Sequence, residues 1–298
     1  MADRPVKGQG GMFVRTPDGP GFLRQTKGLA PGDSLLVQIT GYAEPGKALP
    51  VTSKILFKSR YAILTPTAPG LNISRAIKDE DRREALMAIA HAEMADSAMG
   101  LILRSSCLTG EDGEIAQDIN DMLDLATAVM ADAAGDSAEK LTEGDDPHTL
   151  AWREWVDPAE IVNSEGCFED LGVLDQIEEL RHPCADLPGG GCIYIEPTRA
   201  LIAVDVNTGA DTSPAAGLKA NLATARLLPT QLRLRALAGQ IVLDLAPMGK
   251  KDRRQFEAAL RAAFRTDPVD TNLVGWTPLG HYELQRKRDR IPLHEALR

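Results

Sequence analysis

The sequence predicts a mixed α+β and α/β chain: a small β-rich N-terminal part, a helical middle and a C-terminal α/β core. Residues 1–50 break into short apolar runs separated by Gly- and Pro-rich turns, which reads as antiparallel β structure. Residues 78–134 carry helical apolar spacing twice. From Ile193 onward, apolar runs of strand length alternate with longer segments of helical period. At 298 residues and 32.1 kDa, the chain has the length of one large domain or two to three small ones. The chain is read as three parts, 1–53, 54–180 and 181–298.

Each element has a local reason. Met12-Phe13-Val14, Gly21-Phe22-Leu23 and Ser34 to Ile39 are the N-terminal strands, divided by Pro17-Asp18-Gly19-Pro20 and Pro31-Gly32-Asp33. KILFKSRYAILT at 54–65 is a strand or strand pair, followed by a loop from Pro66 to Asn72. A helix is expected over Lys78 to Met99, with Leu86, Ile89, Ala90 and Met94 on one face and Gly100 as its stop. Leu101 to Arg104 is a short buried strand. Glu114 to Ala134 is a second amphipathic helix, and Gly135 to Pro147 a polar acidic loop. The stretch Glu139 to Asp146 is expected at the surface. Ile193 to Glu196, Leu201 to Asp205 and Gln240 to Asp244 are strands; Ala215 to Leu237 and Asp252 to Phe264 are helices. Pro229 is expected to kink or interrupt the first of these.

Composition excludes some classes. No run approaches about 18 apolar residues, so no transmembrane helix is expected, and the N-terminus lacks the apolar core of a signal peptide. Cys107, Cys167, Cys184 and Cys192 form no C-x-x-C pair, which suggests buried or free thiols in a reducing compartment and a cytoplasmic address. The net charge of −10 argues against a polyanionic partner only until its distribution is considered. Residues 107–180 hold 21 Asp/Glu and two basic residues, which leaves 31 basic and 22 acidic residues elsewhere, a net of +9.

The main chemical constellation is Asp205 and Asp244, which close runs of four and three apolar residues, Leu201 to Val204 and Ile241 to Leu243. Adjacent buried strands would bring both carboxylates to one rim of a sheet. Two such groups repel unless a cation or proton intervenes. A few carboxylates, completed by water and phosphate, form the shell that Mg²⁺ uses. Asn207 could hold a carboxylate or a bound water; the alternative role for each Asp is a turn or helix cap. Residues 226–265 carry nine basic and three acidic residues, including Arg233, Arg235, Lys250, Lys251, Arg253 and Arg254. The alternative for that run is a solvated helix face. Acids beside a basic face favour a polyanionic substrate.

YIEPTRALIAVDVNTG, LKANLATARLLPTQLRLRALAGQIVLDLAPM and LGHYELQRKR, in this order and spacing, resemble the catalytic core of the ribonuclease E/G family. The resemblance implies a DNase I-like catalytic domain at 181–298. It implies one Mg²⁺ bound by Asp205 and Asp244, with Asn207 in support, and endonucleolytic hydrolysis of single-stranded RNA. Upstream, KILFKSRYAILTPTAPGLNISRAI is similar to the segment that leads into the family's RNase H-like and 5′-sensor region. GLILRSS resembles its sensor strand, which puts a 5′-monophosphate on Arg104 and Ser105. GMFVRTPDGPGFL resembles the OB-type barrel, where Phe13 and Phe22 fall at base-stacking positions and Lys47 at a basic one. A core role is the alternative for both Phe residues. Arg233, Arg235, Arg286 and Arg288 complete the RNA-binding residues implied.

The sequence departs from the family pattern in several places. No strand is evident before Met12, so the barrel is expected to be partial. Pro247 stands where the family has a second acid, Arg199 replaces a Glu, and the region between Arg104 and Phe168 is short. There is no cysteine pair for a zinc shared between subunits, although a homo-oligomer remains compatible with the sequence. A catalytically weak or inactive RNA-binding protein on the same scaffold is the alternative to the nuclease.

Overall fold

The computed structural model describes residues 1–6, 10–43, 46–135, 138–157, 159–211 and 213–297. The chain divides into two units, Met1–Glu160 and Ile161–Arg298. The class is mixed α/β: among the described residues, three sheets each combine parallel and antiparallel pairs.

The first unit opens with a five-stranded sheet made of β1 (Ala2–Pro5), β2 (Met12–Thr16), β3 (Gly19–Leu23), β4 (Gln38–Ile39) and β5 (Leu49–Thr52), in the order β1-β2-β3-β5-β4. Alternation along β2 and β3 turns Val14 and Leu23 into a small core with Val51. The expectation that no strand precedes Met12 is corrected, because β1 pairs antiparallel with β2. Only Ala2 of β1 is buried. The strand is held by backbone pairing and has no apolar alternation that a sequence pattern could reveal.

A second sheet contains β6 (Phe57–Lys58), β7 (Ala62–Thr65), β8 (Leu71–Ile73) and β9 (Gly100–Leu103), in the order β6-β7-β9-β8. It shares a core with α1 (Glu80–Glu93) and α2 (Asp112–Asp132), in which Leu64, Leu86, Leu101, Leu103, Ile115 and Ile119 are fully buried. Each such side chain contributes about 1.5–3 kcal/mol relative to exposure. Asp79 caps α1 by accepting from the Arg82 N–H at 2.8 Å. The helix ends six residues before the expected Met99, and Gly100 starts β9 instead of stopping the helix. A Cβ on Gly100 would collide with the Ala68 carbonyl, so the chain turns early to bring a glycine to that close approach. Beyond α2, Asp136 and Ser137 of the acidic loop lie outside the described residues. Glu139 to Asp146 is exposed apart from half-buried Leu141. Then comes α3 (Pro147–Glu154), which has Pro147 in its first turn and an Asp146 cap accepting from the Thr149 N–H at 2.7 Å.

The second unit starts with α4 (Cys167–Asp170) and α5 (Val173–Arg181). Its sheet uses β10 (Cys184–Asp186), β11 (Cys192–Pro197), β12 (Ile202–Asn207), β13 (Gly239–Asp244), β14 (Thr271–Trp276) and β15 (Tyr282–Arg286), in the order β10-β11-β12-β13-β15-β14. Among the described residues, only β12 and β13 of this sheet pair in parallel, and α6 (Pro214–Leu234) connects them; α7 (Lys250–Arg265) follows β13, and α8 (Leu293–Ala296) comes after β15. Leu228, Leu232, Phe256 and Leu260 of the long helices pack on Ile193, Ile195, Val204, Ile241 and Leu243. The opposite face of the sheet is solvated, so β12 alternates buried Ile202, Val204 and Val206 with exposed Asp205 and Asn207.

Pro229 lies buried inside α6 without interrupting it. The lost hydrogen bond and ring clash cost about 3 kcal/mol. Burial of Leu228 and Leu232 on either side holds the helix to the sheet. The hairpin of β14 and β15 is not evident in the sequence, because a charged Arg286 occupies an inward position where alternation calls for an apolar residue. Cys107 is buried, and desolvation pushes its thiol up to about 12, as befits an inert core cysteine. No helix among the described residues is long and apolar enough to cross a membrane.

Candidate active site

The parallel register of β12 and β13 runs Ile202↔Ile241, Ala203↔Val242, Val204↔Leu243 and Asp205↔Asp244. Adjacent strands lie about 4.8 Å apart, so the two aspartates are direct neighbours at the carboxyl ends of a parallel pair. That end of a strand pair is where open α/β sheets bind ligands. Both side chains are exposed, Asp244 by 67%. The preceding apolar residues explain the placement. They bury one face of each strand under α6 and α7, and the acids fall on the alternate, wet face.

Asn207 follows on the same strand and face. Its Oδ1 accepts from the Gly209 N–H at 2.8 Å. Three further residues, to which the sequence reading gave no role, join this rim. Tyr194 of β11 stands directly opposite Asp205 and is 37% exposed. His281, which leads into β15, places Nδ1 3.3 Å from Asp244 Oδ1, within ion-pair reach though not aligned as a hydrogen bond. Asn221 of α6 is fully buried; its Nδ2 donates to Ala246 O at 2.8 Å and its Oδ1 accepts from the Ala246 N–H at 3.1 Å. This two-way amide pairing fixes the chain two residues beyond Asp244. All three sit inside the blocks that carry the family resemblance, but their partners are 11 to 37 positions away, so no local pattern marks them.

The donor set suits a hard, incompletely enclosed cation. Among the described residues, no group of three or more His, Cys, Asp or Glu side chains is arranged to hold a metal. Two neighbouring carboxylates with space for water fit Mg²⁺, which binds through one or two carboxylates and keeps several waters. They do not fit a closed zinc cage.

The basic residues are distributed differently from the single face expected. α7 begins six residues after Asp244, so exposed Lys250 and Lys251 lie at the rim end, with Arg254 one turn on. α6 runs back from the rim through 21 residues, about 31 Å, which carries Arg233 and Arg235 to the other end of the sheet. Arg286 pairs with Gly239 at the start of β13, about 17 Å from the acids. Arg235 and Arg286, which the resemblance implied as RNA-binding, are 5% and 3% exposed. Arg235 donates to His182 O at 3.1 Å and to Gln231, tying the end of α6 to the approach to β10. Arg286 bonds Asp267 at 3.1 Å and Thr271 Oγ1 at 2.9 Å. Arg233 stays exposed and contacts Asp267 at 3.3 Å; Arg288 is half-buried two residues beyond Arg286. Charge counted along the sequence does not distinguish a solvated guanidinium from a buried, paired one.

The other five expected residues named for the N-terminal and sensor regions lie in the first unit. Phe13 and Phe22 are cross-strand partners on the outer face of β2 and β3, edge to face at 5.7 Å, with the Arg4 guanidinium 5.4 Å from the Phe13 ring. Both are half-buried and neither belongs to the Val14–Leu23 core. Lys47 is exposed between β4 and β5. Arg104 follows β9 directly, and Ser105, exposed, starts a short 3-10 turn. The Arg104 guanidinium donates to Ser59 O at 2.6 Å and Arg153 O at 3.3 Å, and meets Glu154 at 3.3 Å.

A model of the ribonuclease E/G family matches residues 57–160 and 153–289. The chain is 29% identical to Ribonuclease E of Nostoc sp., over 95% of this chain and 48% of that protein. It is 27% identical to Ribonuclease G of Escherichia coli, over 89% and 62% respectively. It is also 25% identical to the Ribonuclease E/G-like protein of Porphyra purpurea, over 88% and 59%. The chain thus spans about half to three-fifths of the length of these relatives.

Proposed function

The chain belongs to the ribonuclease E/G family, and from that premise we propose that it is an endoribonuclease that hydrolyses single-stranded RNA with Mg²⁺ held by Asp205 and Asp244. The observation that carries this reading is the register pairing of the two acids at one strand-end rim. Asp205 and Asp244 would hold Mg²⁺ there, and its chemistry would be Lewis-acid activation of water and offsetting of charge at the phosphoryl group. The remaining work falls to the protein. Asp205 and Asp244 present four oxygens on a rigid, sheet-borne edge. Asn207, its oxygen engaged by Gly209, offers its NH₂ to a phosphate oxygen. Asn221 fixes the segment after Asp244, so the second acid keeps its position when the metal leaves. Lys250 and Lys251 at the same end of the sheet attract the RNA backbone. In the first unit, we read the outer face with Phe13 and Phe22, together with Lys47, as an OB-like RNA-binding part, and Arg104 with Ser105 as the group that meets an RNA 5′ end.

The alternative, an RNA-binding protein without cleavage, gives the two acids no role. Neighbouring carboxylates facing a polyanion weaken binding unless a cation lies between them. Single-turnover incubation of a short 5′-labelled single-stranded RNA with and without Mg²⁺ separates the two readings. Internal cleavage that requires Mg²⁺ is the expected result, and binding without cleavage under both conditions would overturn the nuclease.

RNA affinity is expected to fall steeply with salt despite the acidic composition. Each phosphate neutralised on a single strand contributes about −0.7 to the slope of log K against log salt. Contacts from Lys250, Lys251 and Lys47 alone therefore give a slope of about −2. Fluorescence anisotropy of a labelled RNA, kept uncleaved by chelation of the metal, measures it; a flat dependence would reject the basic contacts.

A further inference from the structure

The Arg104 guanidinium already holds an anion from its own chain. Glu154, the last residue of α3, places Oε2 3.3 Å from Arg104 Nη2, and Arg153 donates to the other Glu154 oxygen at 2.8 Å. Neighbouring contacts hold the segment in place. The Arg60 guanidinium lies 4.0 Å from the centroid of the Trp152 ring and donates to the Trp152 carbonyl and, at 3.3 Å, to that of Trp155. Arg153 pairs with Asp145, and Asp146 caps the helix, so residues 145–155 form a self-bonded strap. Burial raises the Glu154 carboxyl, but its hydrogen bond to Arg153 and the Arg104 charge outweigh this and set it below the usual carboxylate range.

The strap is bound loosely. α3 buries none of its residues, Trp152 and Trp155 are 57% and 73% exposed, and the Glu154 side chain is 43% exposed. Its attachment therefore rests on polar and stacking contacts with Arg60 and Arg104 rather than on a packed apolar face. Exposed ion pairs of this kind are weak. A terminal phosphate carries about −1.5 to −2 charges and three acceptor oxygens, against one charge and two oxygens for Glu154. The same guanidinium that donates to Glu154 will bind the phosphate more strongly.

We infer that Glu154 is an internal competitor for the Arg104 anion site, so that the 145–155 strap and an RNA 5′-monophosphate bind there in alternation. The inference rests on the reading of Arg104 as the group that meets the RNA 5′ end. A 5′-hydroxyl end forms no ion pair with Arg104, so it neither displaces Glu154 nor gains from its removal. Displacement also frees Trp152 from Arg60. Two of the chain's three tryptophans are in the strap, which gives the event an optical signal.

The test uses the full chain and a 5′-monophosphorylated dinucleotide, with its 5′-hydroxyl counterpart as control, titrated against tryptophan emission. The phosphorylated probe is expected to bind and change the emission. Glu154→Gln should tighten its Kd about two- to fivefold, the size of one exposed ion pair, and leave the weak binding of the hydroxyl probe unchanged. In cleavage of a longer RNA, Glu154→Gln should raise the ratio of 5′-monophosphate to 5′-hydroxyl rates by the same factor. In an Arg104→Ala background it should change neither quantity. An equal gain for both 5′ ends would show only a loss of general repulsion and would overturn the inference, as would a Kd insensitive to Glu154→Gln. Absence of any cleavage in the unmodified protein, with the Kd difference intact, would instead overturn the nuclease reading and leave the competition standing.

Discussion

Asparagine at position 205 or at position 244 is expected to lower Mg²⁺-dependent cleavage by at least about a hundredfold while leaving the protein folded. Each substitution keeps the shape of the side chain and removes one of the two charges that would hold the metal. The acids sit on the wet face of the sheet, and the apolar residues that pack beneath them, Val204 and Leu243, are untouched. Removing one of two adjacent like charges relieves repulsion, so Asp205→Asn and Asp244→Asn should unfold in metal-free buffer at the same temperature as the parent protein or slightly higher. Single-turnover rates at saturating RNA, together with thermal melts with and without Mg²⁺, measure both parts. Parental turnover in both variants would reject the metal assignment. Mg²⁺ should also raise the melting temperature of the parent more than that of either variant, because a ligand stabilises only the state that binds it.

The other large effect concerns stability. Asp267→Ala is expected to destabilise the second unit by about 3–5 kcal/mol, the cost of leaving a buried charge without its partner. The side chains of Arg286 and Asp267 are 1% and 0% exposed. Besides Arg286, Asp267 pairs with Arg233 at 3.3 Å and accepts from the Val269 N–H at 2.8 Å, so it organises the turn between α7 and β14. Arg286→Met should cost less, since the carboxylate keeps Arg233 and the Val269 N–H. Urea denaturation followed by circular dichroism gives both values. A loss below about 1 kcal/mol for Asp267→Ala would mean that solvent screens the pair. RNA affinity of folded Arg286→Met is expected to equal that of the parent, which separates a structural arginine from one that touches phosphate.

The strands, the helix between them and the closing acids of the proposed metal site are legible in local sequence. IAVD and IVLD are strand-length apolar runs that end in acids, and the 21 residues of α6 have helical spacing. Elements without such a pattern were not legible. β1 has one buried residue, and β15 breaks its alternation with an inward arginine. Helix ends shifted where a distant contact set them, as at Gly100 against the Ala68 carbonyl.

Apolar periodicity is written residue by residue, because burial of one face depends on spacing within a single element. The sequence alone therefore determined which segments pair a buried face with a terminal acid, and the family blocks that contain them. Tertiary structure decided what each polar side chain meets. The register of β12 and β13 makes Asp205 and Asp244 neighbours across 39 positions of chain. Packing against Asp267, 19 positions away, turns Arg286 from a surface cation into a buried ion pair. A glutamate 50 positions away occupies the guanidinium of Arg104. Coulombic and hydrogen-bond energies depend on distance and burial in space, and neither quantity is encoded by the identity of adjacent residues.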